Sequence, residues 1–265
     1  MNSLFNLSFI FVKIPLVLVC LMGIISLQIS QISRQSQKAD QEVYQQQEEQ
    51  EKFELNLIKK LPTLGLENLV ADWFYLRFIQ YFGDSNARDS VGYSLSPDYF
   101  TVIVNHDPKF VEAILKLDTS TSLFAGVPKQ SIALLNQSLA SMPSKFISIP
   151  TPPYYVWTFK GIDELLFLGK PLKAKQSYST AVQWAKEYPS EASQRFIEIT
   201  NQTINFLEKN PSSKVAQIGS WAAILGNAMD KKTTERAIKE IKSLGGKVFL
   251  DEQGRLSVRV PPNIN

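Results

Sequence analysis

Two stretches of the chain repeat one another 43 positions apart, and this echo constrains the fold more than any other feature. Leu123-Phe124-Ala125-Gly126-Val127-Pro128 aligns with Leu166-Phe167-Leu168-Gly169-Lys170-Pro171, and Ser131, Leu135 and Ser138 align with Ala174, Tyr178 and Ala181. A glycine that closes an apolar helical run, with proline two residues on at the start of the next, is the punctuation of two antiparallel helices joined by a tight turn. The small-large-small series on the returning helix lets the pair approach closely. A hairpin of this kind cannot bury its apolar face alone, so duplicated hairpins imply stacking into an α-solenoid, a scaffold suited to binding other proteins.

Residues 14–27 carry no charge, and the apolar character extends upstream with Asn6, Ser8 and Lys13 as interruptions. A bilayer core asks for roughly 20 apolar residues. The run is therefore expected to be an uncleaved single-pass anchor over residues 1–30, with a cleaved secretory signal and a buried helix as competing readings. No small-x-small site follows it, which argues against cleavage. Lys13 on one flank and Arg34 and Lys38 on the other leave the side of the membrane undetermined.

From residue 31 to 61 the chain is rich in Gln and Glu and free of proline and glycine until Pro62 is reached. That composition reads as a solvated helical stalk. A heptad register places Ile32, Ala39, Gln46 and Phe53 at one seam position and Ser36, Val43, Gln50 and Leu57 at the other, so a weak stalk-mediated dimer is the alternative.

Residues 62–244 read as the helical body. The helix over 66–82 holds Trp73, Phe74, Tyr75, Phe78, Tyr81 and Phe82, with apolar residues nearly all round its axis, and is expected to be a central buried helix, with a membrane-surface or partner-facing helix as the alternative. Ser96-Pro97 and Asp107-Pro108 are helix starts. Residues 143–153, with four prolines, separate the two hairpins, and further helices are expected from 190 to 244. Residues 245–265 form the last segment: after Gly245-Gly246, the alternating stretches 247–250 and 255–260 flank Asp251-Glu252-Gln253-Gly254, which predicts a β-hairpin.

Trp157, Gly161, Ala174, Tyr178 and Ala181 resemble the tetratricopeptide repeat, and Phe100, Ile103 and Pro108 resemble the tail of an earlier copy. The spacing from Trp157 to Ala174 is one residue longer than that family's, and Ile114 to Ser131 shares the extra residue. Ala71-Asp72-Trp73, Lys160-Gly161-Ile162-Asp163 and Ala216-Gln217-Ile218-Gly219 are also similar to a group of membrane-anchored cyanobacterial proteins without assigned activity. The tetratricopeptide resemblance implies a concave groove lined from the first helix of the hairpin by Tyr155, Thr158, Ile162 and Leu165. That mostly apolar lining implies a hydrophobic peptide or the end of a transmembrane helix as ligand, with packing of these four residues in the core as the alternative.

Several chemistries are disfavoured by composition. Cys20 is the only cysteine and His106 the only histidine, so a disulfide framework, a thiol pair and every scheme needing two imidazoles are absent. With 28 Lys and Arg against 25 Asp and Glu, overall charge gives no case for nucleic acid. Gly245-Gly246-Lys247-Val248 lacks the Ser or Thr and the strand-to-helix order of a phosphate loop. Asp163 and Glu164 are adjacent, which splays their carboxylates around a helix. Lys232, Arg236 and Lys239 share a face that reads as solvated, with an anionic lipid or acidic partner as the alternative. The expectation is a membrane-tethered helical-repeat adaptor for a protein partner, with no catalytic residue, cofactor or metal. The alternative is an enzyme or lipid-handling protein whose site is assembled from residues distant in sequence.

Overall fold

The computed structural model describes residues 22, 23, 26, 41–59, 61–209, 214–227, 231–251, 254 and 256–261. The chain divides into two units, 1–47 and 48–265. In the first, the described residues beyond Met22, Gly23 and Ser26 are the opening turns of α1 (Gln41–Ile58). The second holds the remainder of α1 and all that follows, and it is mainly α with a small open β-hairpin.

The anchor expected over residues 1–30 falls almost wholly outside the described residues. Among those described, no helix is long and apolar enough to cross a membrane. The helices that reach the length, α1 and α9 (Glu191–Lys209), are studded with Glu, Gln and Asn, whereas a span needs a nearly unbroken apolar run. The membrane-anchored fold, the membrane as partner and the single-pass localisation are corrected accordingly. The adaptor reading loses its tether with them.

From Glu48 onward α1 is not a free stalk. Leu55 is fully buried, Glu51 accepts a hydrogen bond from the Tyr99 hydroxyl, and Arg77 meets Glu54 at 2.8 Å and Glu51 at 3.5 Å. The buried side of the helix thus runs through Leu55, while the heptad residues Phe53 and Leu57 face outward. Glutamine at positions 46 and 50 interrupts that outward seam, which leaves the stalk-mediated dimer without support.

Helix α2 (Glu67–Gly83) buries Ala71, Phe74, Phe78 and Tyr81, a helical stripe at i, i+3, i+7 and i+10. They pack on α4 (Ser96–His106), where Tyr99, Phe100, Val102, Ile103 and Val104 are all fully buried. The ring of Phe78 lies edge-on to Phe100 at 4.6 Å and to Tyr99 at 5.9 Å. The central helix is therefore α4, and α2 covers it with one face only. Trp73 is 59% exposed on the other face, against the expectation that this helix is buried all round. Between them the short α3 (Ser85–Val91) is capped by the Asp84 carboxylate, which accepts from the Ala87 amide at 3.1 Å. Its Arg88 lies 3.7 Å over the Tyr81 ring.

The two hairpins follow. The first climbs through α5 (Val111–Ile114) and a π-helical turn (Asp118–Phe124) and returns as α6 (Pro128–Ser141). The second climbs through α7 (Tyr154–Ile162) and a π-helical turn (Asp163–Phe167) and returns as α8 (Pro171–Ala185). The 43-residue echo persists in the hydrogen bonds. Ala125 N–H donates to Ser120 and Val127 N–H to Thr121; 43 positions on, Leu168 N–H donates to Asp163 and Lys170 N–H to Glu164. Gly126 and Gly169 have φ of +75° and +61°, the left-handed region in which a helix-ending glycine is favoured. The extra residue that both repeats carry is absorbed by the π-helical turns, each widening the helix by one residue.

Helix α9, capped by the Ser190 hydroxyl accepting from the Ser193 amide, packs on α8. Helices α10 (Lys214–Asn227) and α11 (Lys231–Ser243) then enclose Ile218, Trp221, Ala237 and Ile241. The hairpin β1 (Lys247–Leu250) and β2 (Leu256–Arg259) pairs antiparallel, Lys247 opposite Arg259, and lays Val248 and Val258 on that cluster.

Candidate functional site

An open groove of about 800 Å³ lies between α7 and α9. From α7 come Tyr155, Thr158 and Ile162, at i, i+3 and i+7 and therefore on one face. From α9 come Ala192, Phe196, Ile199 and Thr203, a second stripe at helical spacing, and Tyr178 of α8 is part of the wall. The Tyr155 ring stands edge-on to Phe196 at 5.1 Å, which fixes one end. Glu191 and Arg195 sit on the rim, 3.5 Å apart and both largely exposed, a pair of little energetic weight.

Three of the four residues expected in the groove, Tyr155, Thr158 and Ile162, are brought together there. Leu165 is not among the lining residues; it is buried beneath, against Ala174, Tyr178 and Leu207. The π-helical turn explains the difference, because the wider turn after Ile162 changes the angular phase and swings position 165 inward. Sequence reasoning missed the α9 wall, although the apolar and small residues at 192, 196, 199 and 203 carried the signal.

One glycine shapes the wall. A Cβ on Gly161 would stand 2.7 Å from Cε1 of Tyr178, so only glycine lets that ring lie against α7. Burial, and next the Glu164 carboxylate, push the Tyr178 hydroxyl well above its ordinary value, so it stays neutral. Gly161→Ala is expected to displace the ring and cost about 1–3 kcal/mol, the usual range for overpacking. A thermal melt of the variant checks it, and an unchanged melting temperature would remove Gly161 from this role.

A buried polar cluster joins the two hairpins behind the groove. The Asp163 carboxylate, fully buried, accepts from Ser122 at 2.7 Å and Ser131 at 2.6 Å, both on the first hairpin. Its second oxygen has no partner among the described residues. Glu164 accepts from Ser177 at 2.7 Å and lies 3.4 Å from Lys160. Burial, with the smaller help of Asp118 and Glu164, raises the Asp163 carboxyl to about 7 against the two serine hydroxyls that favour its ionised form. Adjacent in sequence, the two acids thus serve different contacts, as their divergence implies. Asp163 clamps hairpin to hairpin, and Glu164 ties the two helices of the second hairpin together.

The remaining residues singled out in the sequence have structural employment. His106 Nδ1 lies 2.7 Å from the Val102 carbonyl within its own helix. Arg236 donates to the carbonyls of Leu123 and Phe124, closing the end of the first hairpin. Lys232 and Lys239 border a shallower pocket of about 480 Å³ together with Glu235 and Glu240, so its charge is mixed. Among the described residues no group of His, Cys, Asp or Glu is placed to hold a metal ion. No family model matches this chain, and neither a curated protein nor a solved structure is similar to it.

Proposed function

We propose that the helical body is a divergent tetratricopeptide-like module whose α7–α9 groove binds a short apolar segment of another polypeptide. The observation that carries this reading is the groove itself. It is open along its length and walled by Tyr155, Ile162, Phe196 and Ile199, with Ile199 exposed to solvent, and its charges stand only at the rim. An enclosed apolar cavity would suit a compact small molecule. A groove between two helices that flank α8 suits an amphipathic segment laid along it, held by side chains at i, i+3 and i+4. On this reading the chain binds rather than catalyses: among the described residues lining the groove no nucleophile and base converge, and Asp163 and Glu164 accept from serine hydroxyls. The role in membrane-complex assembly is not retained.

The test is selection of random decapeptides on the purified full-length chain, followed by titration of a fluorescein-labelled winner. Enrichment of Leu, Ile, Phe and Met at helical spacing is expected. Ile199→Asp should weaken the titrated peptide at least tenfold without lowering the melting temperature, because a surface aspartate in the groove must be desolvated by an apolar ligand. Equal affinity for wild type and Ile199→Asp would overturn the assignment.

A further inference from the structure

Among the described residues, nothing covers the outer face of α2. Leu66, Leu69, Trp73, Leu76 and Ile79 are between 47% and 62% exposed, and Leu64, just before them, is 88% exposed with φ of +54°. Single exposed apolar residues are ordinary, whereas a contiguous stripe of five marks an interaction surface. Leu66, Leu69, Trp73 and Leu76 follow the 3-4-3 spacing of a helix-pairing seam, narrower than the stripe with which α2 covers α4. The natural occupant of such a seam is another helix.

We infer that this occupant is α2 of a second copy of the chain, packed antiparallel about a twofold axis beside Trp73. The spacings 3, 4, 3 and 3 along the stripe read nearly the same in both directions, which is what an isologous contact demands. Reversal sets Leu66 against Ile79 of the second copy and Leu69 against its Leu76. It also brings the indole of Trp73 beside Asp72 of the second copy, an exposed carboxylate able to accept the ring N–H. The antiparallel sense opposes the two helix dipoles favourably. The five side chains offer roughly 500 Å² per copy, so a pair removes about 1,000 Å² from water, the lower bound for a specific interface. The seam is on α2 and independent of the heptads of α1.

Cysteine cross-linking of the full-length chain tests the pairing, in a Cys20→Ser background. Chains carrying Leu69→Cys and chains carrying Leu76→Cys are mixed and oxidised. On a single helix the two positions lie about 10 Å apart, too far for a disulfide, and in the antiparallel pair each faces the other. The mixture is expected to give at least ten times more cross-linked dimer than either chain alone. A second measurement separates pairing from folding: Leu69→Glu should lower the dimer fraction at least tenfold in sedimentation velocity, and Leu69→Glu with Leu76→Lys should restore it by pairing glutamate with lysine across the axis. Equal cross-linking of the mixture and the single chains would overturn the inference. So would a wild-type chain that stays monomeric at about 100 μM, including one whose stripe is covered by a different protein.

Discussion

Phe78→Ala is expected to lower the unfolding free energy by about 4 kcal/mol, while Trp73→Ala, one and a half turns away on the same helix, changes it by less than about 1 kcal/mol. Phe78 is 2% exposed and sits in a nest of rings, with Phe100 at 4.6 Å, Phe82 at 5.5 Å and Tyr99 at 5.9 Å. Truncation there loses the apolar transfer energy, the edge-to-face contacts and the packing of α2 on α4, and leaves a cavity that two rigid helices cannot close. Trp73 loses only what its half-covered ring gains from neighbours on its own helix. Urea titration at submicromolar protein, dilute enough to keep copies of the chain apart, measures both variants. Equal losses would mean that the outer face of α2 is part of the core after all. A stable Trp73→Ala variant that no longer forms the twofold pair would place the tryptophan where the exposed stripe puts it.

That contrast marks the limit of what the residues disclose alone. The hairpins were legible because glycine and proline act locally: Gly126 and Gly169 need a left-handed backbone whatever surrounds them, and the hydrogen bonds repeat at the same interval as the letters. The β-hairpin was legible for the same reason, through its turn residues and its alternation. The orientation of α2 was not. Its apolar residues nearly encircle the axis, and the choice of Phe74, Phe78 and Tyr81 over Trp73 and Leu76 as the buried face depends on α4, some 20 residues further along. Three groove residues on α7 were found because they precede the π-helical turn; Leu165 follows it and is rotated inward. The second wall, on α9, comes from the helix that packs on α8 beyond the two hairpins, where the glycine and proline signals do not repeat.

Stability is expected to fall as pH rises from about 4 toward neutrality, and Asp163 is the group responsible. Its carboxyl is raised to about 7 in the folded chain, from an ordinary value near 4, so the native state binds a proton more tightly than the unfolded chain does. Its contribution is most favourable below about pH 4, declines between 4 and 7, and is flat above that range. The interval corresponds to roughly 4 kcal/mol, of which about 2–3 kcal/mol falls between pH 5 and 8 at ~1.4 kcal/mol per pH unit. Asp118, raised by burial to about 6, acts in the same sense and explains any slope that remains. Asp163→Asn removes the titration while keeping an oxygen for the hydroxyls of Ser122 and Ser131. Urea titrations at pH 5 and pH 8 should therefore show wild type losing about 2–3 kcal/mol more than Asp163→Asn over that interval. Ser131→Ala should push the midpoint of the wild-type decline upward, because it deletes a donor that favours the ionised carboxylate. Parallel pH profiles for wild type and Asp163→Asn would show that the carboxyl titrates near its ordinary value. The clamp between the hairpins would then be an ordinary hydrogen-bonded carboxylate rather than a protonated acid shared by two helical repeats.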